Sequence, residues 1–94
     1  METNFLHFKT TNEIQQEIAA NAKKQRKAAK LTQKQLALKS GVSLGSLKRF
    51  EASGAISLAS LLKIAFALGC EKDFEELFKS YQYHSIQEII DGKL

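Results

Sequence analysis

Polar caps and glycine stops alternate through the middle of this chain, in the order Thr32, Gly41, Ser43, Gly54, Ser57, Gly69. A Ser or Thr ahead of an apolar-periodic run opens a helix, because its side-chain oxygen accepts an otherwise unpaired backbone N–H. A Gly just past the run closes it, because the left-handed backbone of a helix end costs least there. The alternation predicts three short consecutive helices with tight breaks. Pro is absent, and Ala, Leu, Lys, Gln and Glu are abundant, which favours helix throughout.

Two further helices flank these three. Thr10 and Glu13 have capping-box spacing ahead of "IQQEIAANAKKQRKAA". In that first helix Ile14, Ile18, Ala22 and Ala29 form a candidate inward stripe, and its end falls near Ala29 or Lys30. Thr32 pairs with Gln35 in the same capping pattern, with Leu36 and Ala37 facing inward. The third helix offers Leu47 and Phe50 to the core. The fourth offers Leu58, Leu61, Leu62, Ile64, Ala65 and Leu68. A fifth is predicted from about Lys72 to Lys79, with Phe74, Leu77 and Phe78 apolar. Phe50, Phe66, Phe74 and Phe78 are expected in the core, as is Cys70, a small side chain on an apolar face.

The expected fold is all-α: a five-helix domain over residues 1–94, with its core at 11–80 and tails at 1–10 and 81–94. The tails are ambiguous. "NFLHFK" has strand character, while "SYQYHSIQEIIDGKL" mixes a strand-like Tyr81 and Tyr83 alternation with a helix-like Ser85 to Glu88 box.

Charge is segregated along the chain. Between Ala22 and Phe50 lie nine basic residues and no acidic one: Lys23, Lys24, Arg26, Lys27, Lys30, Lys34, Lys39, Lys48 and Arg49. From Glu51 onward the balance is seven acidic to four basic. A cationic half of this kind suits a polyanion, although a solvated lysine-rich face has the same composition.

The break at Gly41 separates these alternatives. Two short helices, Thr32 to Ser40 and Ser43 to Glu51, joined through Gly41 and Val42, have the spacing of a helix-turn-helix. In a DNA-binding version the second helix enters the major groove and the first crosses the backbone. Val42 is the candidate buried residue that fixes the angle between them. Residues 31–78, "LTQKQLALKSGVSLGSLKRFEASGAISLASLLKIAFALGCEKDFEELF", resemble the phage-repressor and Cro-like (XRE) family. The likeness rests on Leu-Thr-Gln opening helix two, Leu-Ala inside it, Gly-Val-Ser at the turn, Glu51 closing helix three, and "SLASLLKIAFALG" as helix four. It extends back to about Glu13.

The resemblance implies roles for individual residues. Gln33 matches a Gln that bonds a DNA phosphate and braces the recognition helix, and Lys34 follows it in the same first turn. Ser43, Leu44, Gly45, Ser46, Lys48 and Arg49 match the positions of helix three that face DNA. Arg26 matches an Arg that pairs with the Glu ending helix three, here Glu51. Helix N-termini favour a phosphate, and Arg or Lys reaches a base edge. Leu44 and Gly45 depart from the polar residues usual at their positions. Leu44 offers only apolar contact, as to a thymine methyl. Gly45 allows close backbone approach at some cost in helix stability. Both are equally consistent with a helix that reads few bases.

Other chemistries find little support. No nucleophile and base pair, phosphate-cradling loop or paired carboxylates fall in a recognisable motif, so no enzyme activity is expected, nor any cofactor. His7 and His84 lie on opposite tails with no ligand cluster at metal spacing, so no metal is expected. No apolar run approaches the roughly 18 residues of a membrane span, and residues 13–30 lack large apolar side chains after Ile18, so no membrane partner is expected. A single Cys and an N-terminus without a secretion pattern fit a cytoplasmic setting. The expected partner is double-stranded DNA bearing a palindromic operator, bound by a homodimer through helix five or the tails, with at least one tail expected to pack across the two-fold axis or back onto its own core. The alternative is an antitoxin of the HipB or HigA type, which also binds a toxin protein.

Overall fold

The computed structural model describes residues 8–80 and Gly92. Five helices follow in order: α1 (Thr11–Ala28), α2 (Gln33–Ser40), α3 (Leu44–Ser53), α4 (Leu58–Leu68) and α5 (Glu71–Glu75), with no strand among the described residues. The strand and helix expected in the tails, with His7 and His84, lie outside this range.

Each of the first four helices begins at its sequence cap. Thr10 and Glu13 form a reciprocal box, as do Thr32 and Gln35. Hydrogen bonds from the Thr10 backbone N–H and side chain hold the Glu13 carboxyl below its ordinary pKa. Ser43 and Ser57 accept the N–H of Ser46 and Ser60, both at 3.1 Å. Gly41 and Gly54 take left-handed backbones, with φ of 77° and 84°. α1 ends without a glycine. Lys30 adopts φ 60°, its N–H bonds Lys27 O, and the Leu31 N–H bonds Arg26 O at 3.1 Å. This is the double-bonded helix end that usually recruits Gly, here made by a lysine and sealed by Leu31 packing on the core.

The core comprises Ala19 of α1, Leu36 and Ala37 of α2, Val42 of the turn, Leu47 and Phe50 of α3, and Ile64 and Ala65 of α4. α1 departs from its predicted stripe. Ile14 and Ile18 are 45% and 40% exposed and Ala29 is exposed, whereas Ala19 and Arg26 are buried. Gly54 explains the rotation. A Cβ there would sit 2.8 Å from the backbone of Gln15. The α1 backbone at Gln15 is thus in near contact with the end of α3, and the buried side of α1 runs through Ala19, half-buried Ala22 and Arg26 rather than through the isoleucines.

Three further expectations need correction. α3 runs two residues past Glu51, to Ser53. α5 is five residues long rather than reaching Lys79: Cys70 provides no side-chain cap, and Phe78 turns left-handed with φ 62°. Phe66 and Phe78 are not core. They are 66% and 98% exposed, because Ile64 and Ala65 take the inward side of α4 and α5 ends before Phe78. Phe74 and Cys70 are half-buried, and Leu58 and Leu77 are mostly exposed.

Candidate nucleic-acid interface

The turn between α2 and α3 is built from short-range bonds. Ser40 Oγ donates to Ala37 O and accepts the Val42 N–H at 3.2 Å, while the Val42 side chain is buried. Ser43 Oγ also donates to Ser46 Oγ at 2.9 Å, so the two serines of the first turn of α3 are bonded to each other. The Leu44 and Gly45 amides precede the first intrahelical acceptor and point out of the helix end, where an anion is favoured.

One carboxylate fixes the position of α3. Arg26 Nε donates to Glu51 Oε2 at 2.7 Å, and Nη2 to Oε1 at 3.0 Å. The third Arg26 nitrogen, Nη1, donates to Leu31 O at 2.8 Å. Gln33 Nε2 donates to Glu51 Oε1 at 3.0 Å. Glu51 thus accepts from α1 and α2 at once, and Arg26 reaches the α1–α2 linker as well. The Arg26 and Glu51 side chains are only 9% and 4% exposed. Burial pushes the Glu51 carboxyl up, but the bonds from Arg26 and Gln33, with the charges of Arg26 and Lys23, outweigh it and hold the pKa below its ordinary value. The bond to Glu51 raises Arg26 further still, against its own desolvation.

The outward side of α3 follows from this anchoring. With Leu47 and Phe50 buried, Gly45, Lys48 and Arg49 are exposed. Ala52, which the sequence did not single out, is exposed at the next position of the same face. An added Cβ at Gly45 meets nothing within 4 Å, so no side chain from another described element covers the backbone there. Ser43 is exposed and Ser46 half-buried. Leu44 is half-buried and packs on the core, so only part of it faces outward. Lys34 is exposed in the first turn of α2. Gln33 is half-buried, with one amide proton committed to Glu51.

Of the nine basic residues between Ala22 and Phe50, all but Arg26 are exposed, and none of those eight forms an ion pair among the described residues. The two bonds that no local pattern disclosed are Gln33 to Glu51 and Arg26 to Leu31. Both depend on how the helices pack.

A family model described as Helix-turn-helix matches residues 23–74, more than half of the chain and the whole of α2 through α4. No curated protein and no solved structure matches the chain.

Proposed function

The chain belongs to the helix-turn-helix family, the Cro/C1-type DNA-binding group, and from that premise we propose that it is a sequence-specific transcriptional repressor. Gln33, Lys34, Ser43, Leu44, Gly45, Ser46, Lys48 and Arg49 form the DNA-facing set, with α3 in the major groove. The observation that carries the proposal is the anchoring of α3 through Glu51, which leaves Lys48 and Arg49 exposed beside a Gly45 backbone that no side chain from another described element covers. Lys48 and Arg49 have the length and donors to reach guanine or phosphate. Gln33 takes a bracing role first, and its remaining amide proton and the first amides of α2 serve a phosphate.

One recognition helix covers only a few base pairs. A homodimer on a palindromic operator would set two copies of α3 about 34 Å apart, in successive major grooves. The cytoplasm is the compartment we assign. A second reading, an antitoxin that also neutralises a toxin protein, draws support from Leu58 and Phe66, which stand exposed on one face of α4. Its distinguishing result is a second chain that co-purifies from the native source.

The test is duplex binding measured across salt with DNA from upstream of the chain's own gene, alongside light scattering. Affinity should fall steeply between about 50 and 200 mM salt, with a log–log slope of about −0.9 for each phosphate neutralised. The bound species should hold two chains. Affinity that stays flat over that range for every duplex refutes DNA binding by this surface, and a single bound copy on a palindromic site refutes the dimer.

A further inference from the structure

A groove of about 450 Å³ lies between α1, α4 and the α5 end. Ile18 and Ala22 of α1, Leu61 and Leu68 of α4, and Phe74 and Leu77 form its apolar lining. Lys24 and Asp73 add one charge of each sign. Ile18 and Leu77 are 40% and 52% exposed, so part of this apolar lining faces water.

The chain leaves the described fold beside this groove. Leu77 is one of its walls, and the backbone then turns at Phe78 instead of extending α5. Ile86 follows nine residues after Leu77. In the sequence Ile86, Ile89 and Ile90 are spaced at i, i+3 and i+4, and Ser85 with Glu88 has capping-box spacing. Glu88 and Asp91 flank the isoleucines, opposite in sign to Lys24 and like in sign to Asp73, so the apolar spacing and not charge makes the match.

We infer that the groove is the seat of this chain's own residues 81–94, with Ile86, Ile89 and Ile90 as the side chains that fill it. The choice between this segment and the same segment of a second copy is one of concentration. A nine-residue tether has a root-mean-square span of about 16 Å. At that length the local concentration of the attached segment is in the millimolar range. A second copy at micromolar concentration competes at about a thousandfold disadvantage. Dimer contacts then fall on other surfaces, such as the exposed face of α4.

Cys70, the only cysteine in the chain, also lines this groove and reports on its cover. The rate of its reaction with an aromatic disulfide reagent is compared in the full-length chain and in full-length Ile86→Ser/Ile89→Ser/Ile90→Ser. The wild type should react at least about tenfold more slowly. The ratio should hold from about 1 to 100 µM protein, as an intramolecular contact requires. Equal rates overturn the inference and leave the groove to a separate protein. Protection that disappears on dilution also overturns it and assigns the groove to a second copy. Should the triple variant lose its helical circular dichroism, Ile89→Cys in the full chain decides. Oxidation should then join residues 70 and 89 within one chain, seen as a monomer on a non-reducing gel. A disulfide-linked dimer, or no disulfide, refutes the assignment.

Discussion

Replacing Glu51 by Met removes a buried charge while keeping the length of the side chain. The variant leaves Arg26 with a side chain 9% exposed and one remaining acceptor, Leu31 O, out of three bonds. It also strips Gln33 of its partner. Breaking a buried pair from one side costs about 3–5 kcal/mol. At about 0.05–0.15 kcal/mol per residue, a chain of this length has roughly 5–14 kcal/mol in all. The substitution therefore removes at least about a fifth of the stability and up to nearly all of it. With about 4–8 °C per kcal/mol, the melting temperature should drop by at least about 12 °C. Thermal melts followed by circular dichroism at neutral pH, without DNA, measure this. The double variant Arg26→Met/Glu51→Met should recover most of the loss, because no orphaned charge is left. The pH dependence has a definite sign. The folded Glu51 carboxyl titrates below its unfolded value, so its contribution is complete above about pH 4.3 and is lost as pH falls through the folded value. The wild type should lose stability on that acidification, and Glu51→Met should lose less. A Glu51→Met protein that melts within about 2 °C of wild type at neutral pH refutes the anchoring of α3 by this carboxylate.

Lys48→Ala and Arg49→Ala should each leave the melt nearly unchanged, since exposed substitutions usually stay within about 0.5 kcal/mol. A side chain that reads a base should cost about 1–3 kcal/mol of binding and relax one operator position, whereas a phosphate contact should weaken all duplexes alike. Native operator affinity in the folded double variant rules out α3 as the reading element. Gly54→Ala should destabilise well beyond Gly41→Ala in urea titrations. Both impose a left-handed backbone on alanine, at about 1–2 kcal/mol, but only Gly54 also drives a methyl group to 2.8 Å from the Gln15 backbone. Equal midpoints for the two variants would show that α1 and α3 do not touch there.

The elements whose signals are local were legible in the sequence. Thr10, Thr32, Ser43 and Ser57 cap, and Gly41 and Gly54 stop, through bonds that span four residues or fewer. Features set by distant packing were less visible. The orientation of α1 depends on Gly54, far along the chain, and the isoleucines that dominate a count of apolar residues ended up half out of the core. The end of α1 carried no glycine because Lys30 holds the left-handed position, supported by two backbone bonds and the seal at Leu31. α5 looked longer than it is because Phe74, Leu77 and Phe78 have helical spacing, and spacing does not reveal a missing cap. In the candidate interface, exposure of Lys48 and Arg49 follows from the burial of Leu47 and Phe50, which periodicity predicts. The half-burial of Leu44 does not, because it depends on how closely α3 sits on the core.

Glu51 links the stability of the fold to the charge of its surface. It is the only acid between Ala22 and Ala52, two residues after Arg49 in the helix proposed to meet DNA. An exposed carboxylate there would lie within the screening length of about 8 Å at physiological salt and would oppose any phosphate that Lys48 and Arg49 attract. Burial against Arg26 removes the conflict, since the pair is neutral as a unit and shielded from water. The same bonds leave eight exposed basic residues in that stretch uncompensated among the described residues. A fold that placed Glu51 in solvent would lose both the bracing of α3 and part of its pull on a polyanion. Folding and the cationic surface are thus secured by one arrangement of Arg26, Gln33 and Glu51, and a substitution that breaks it should weaken stability and DNA affinity together.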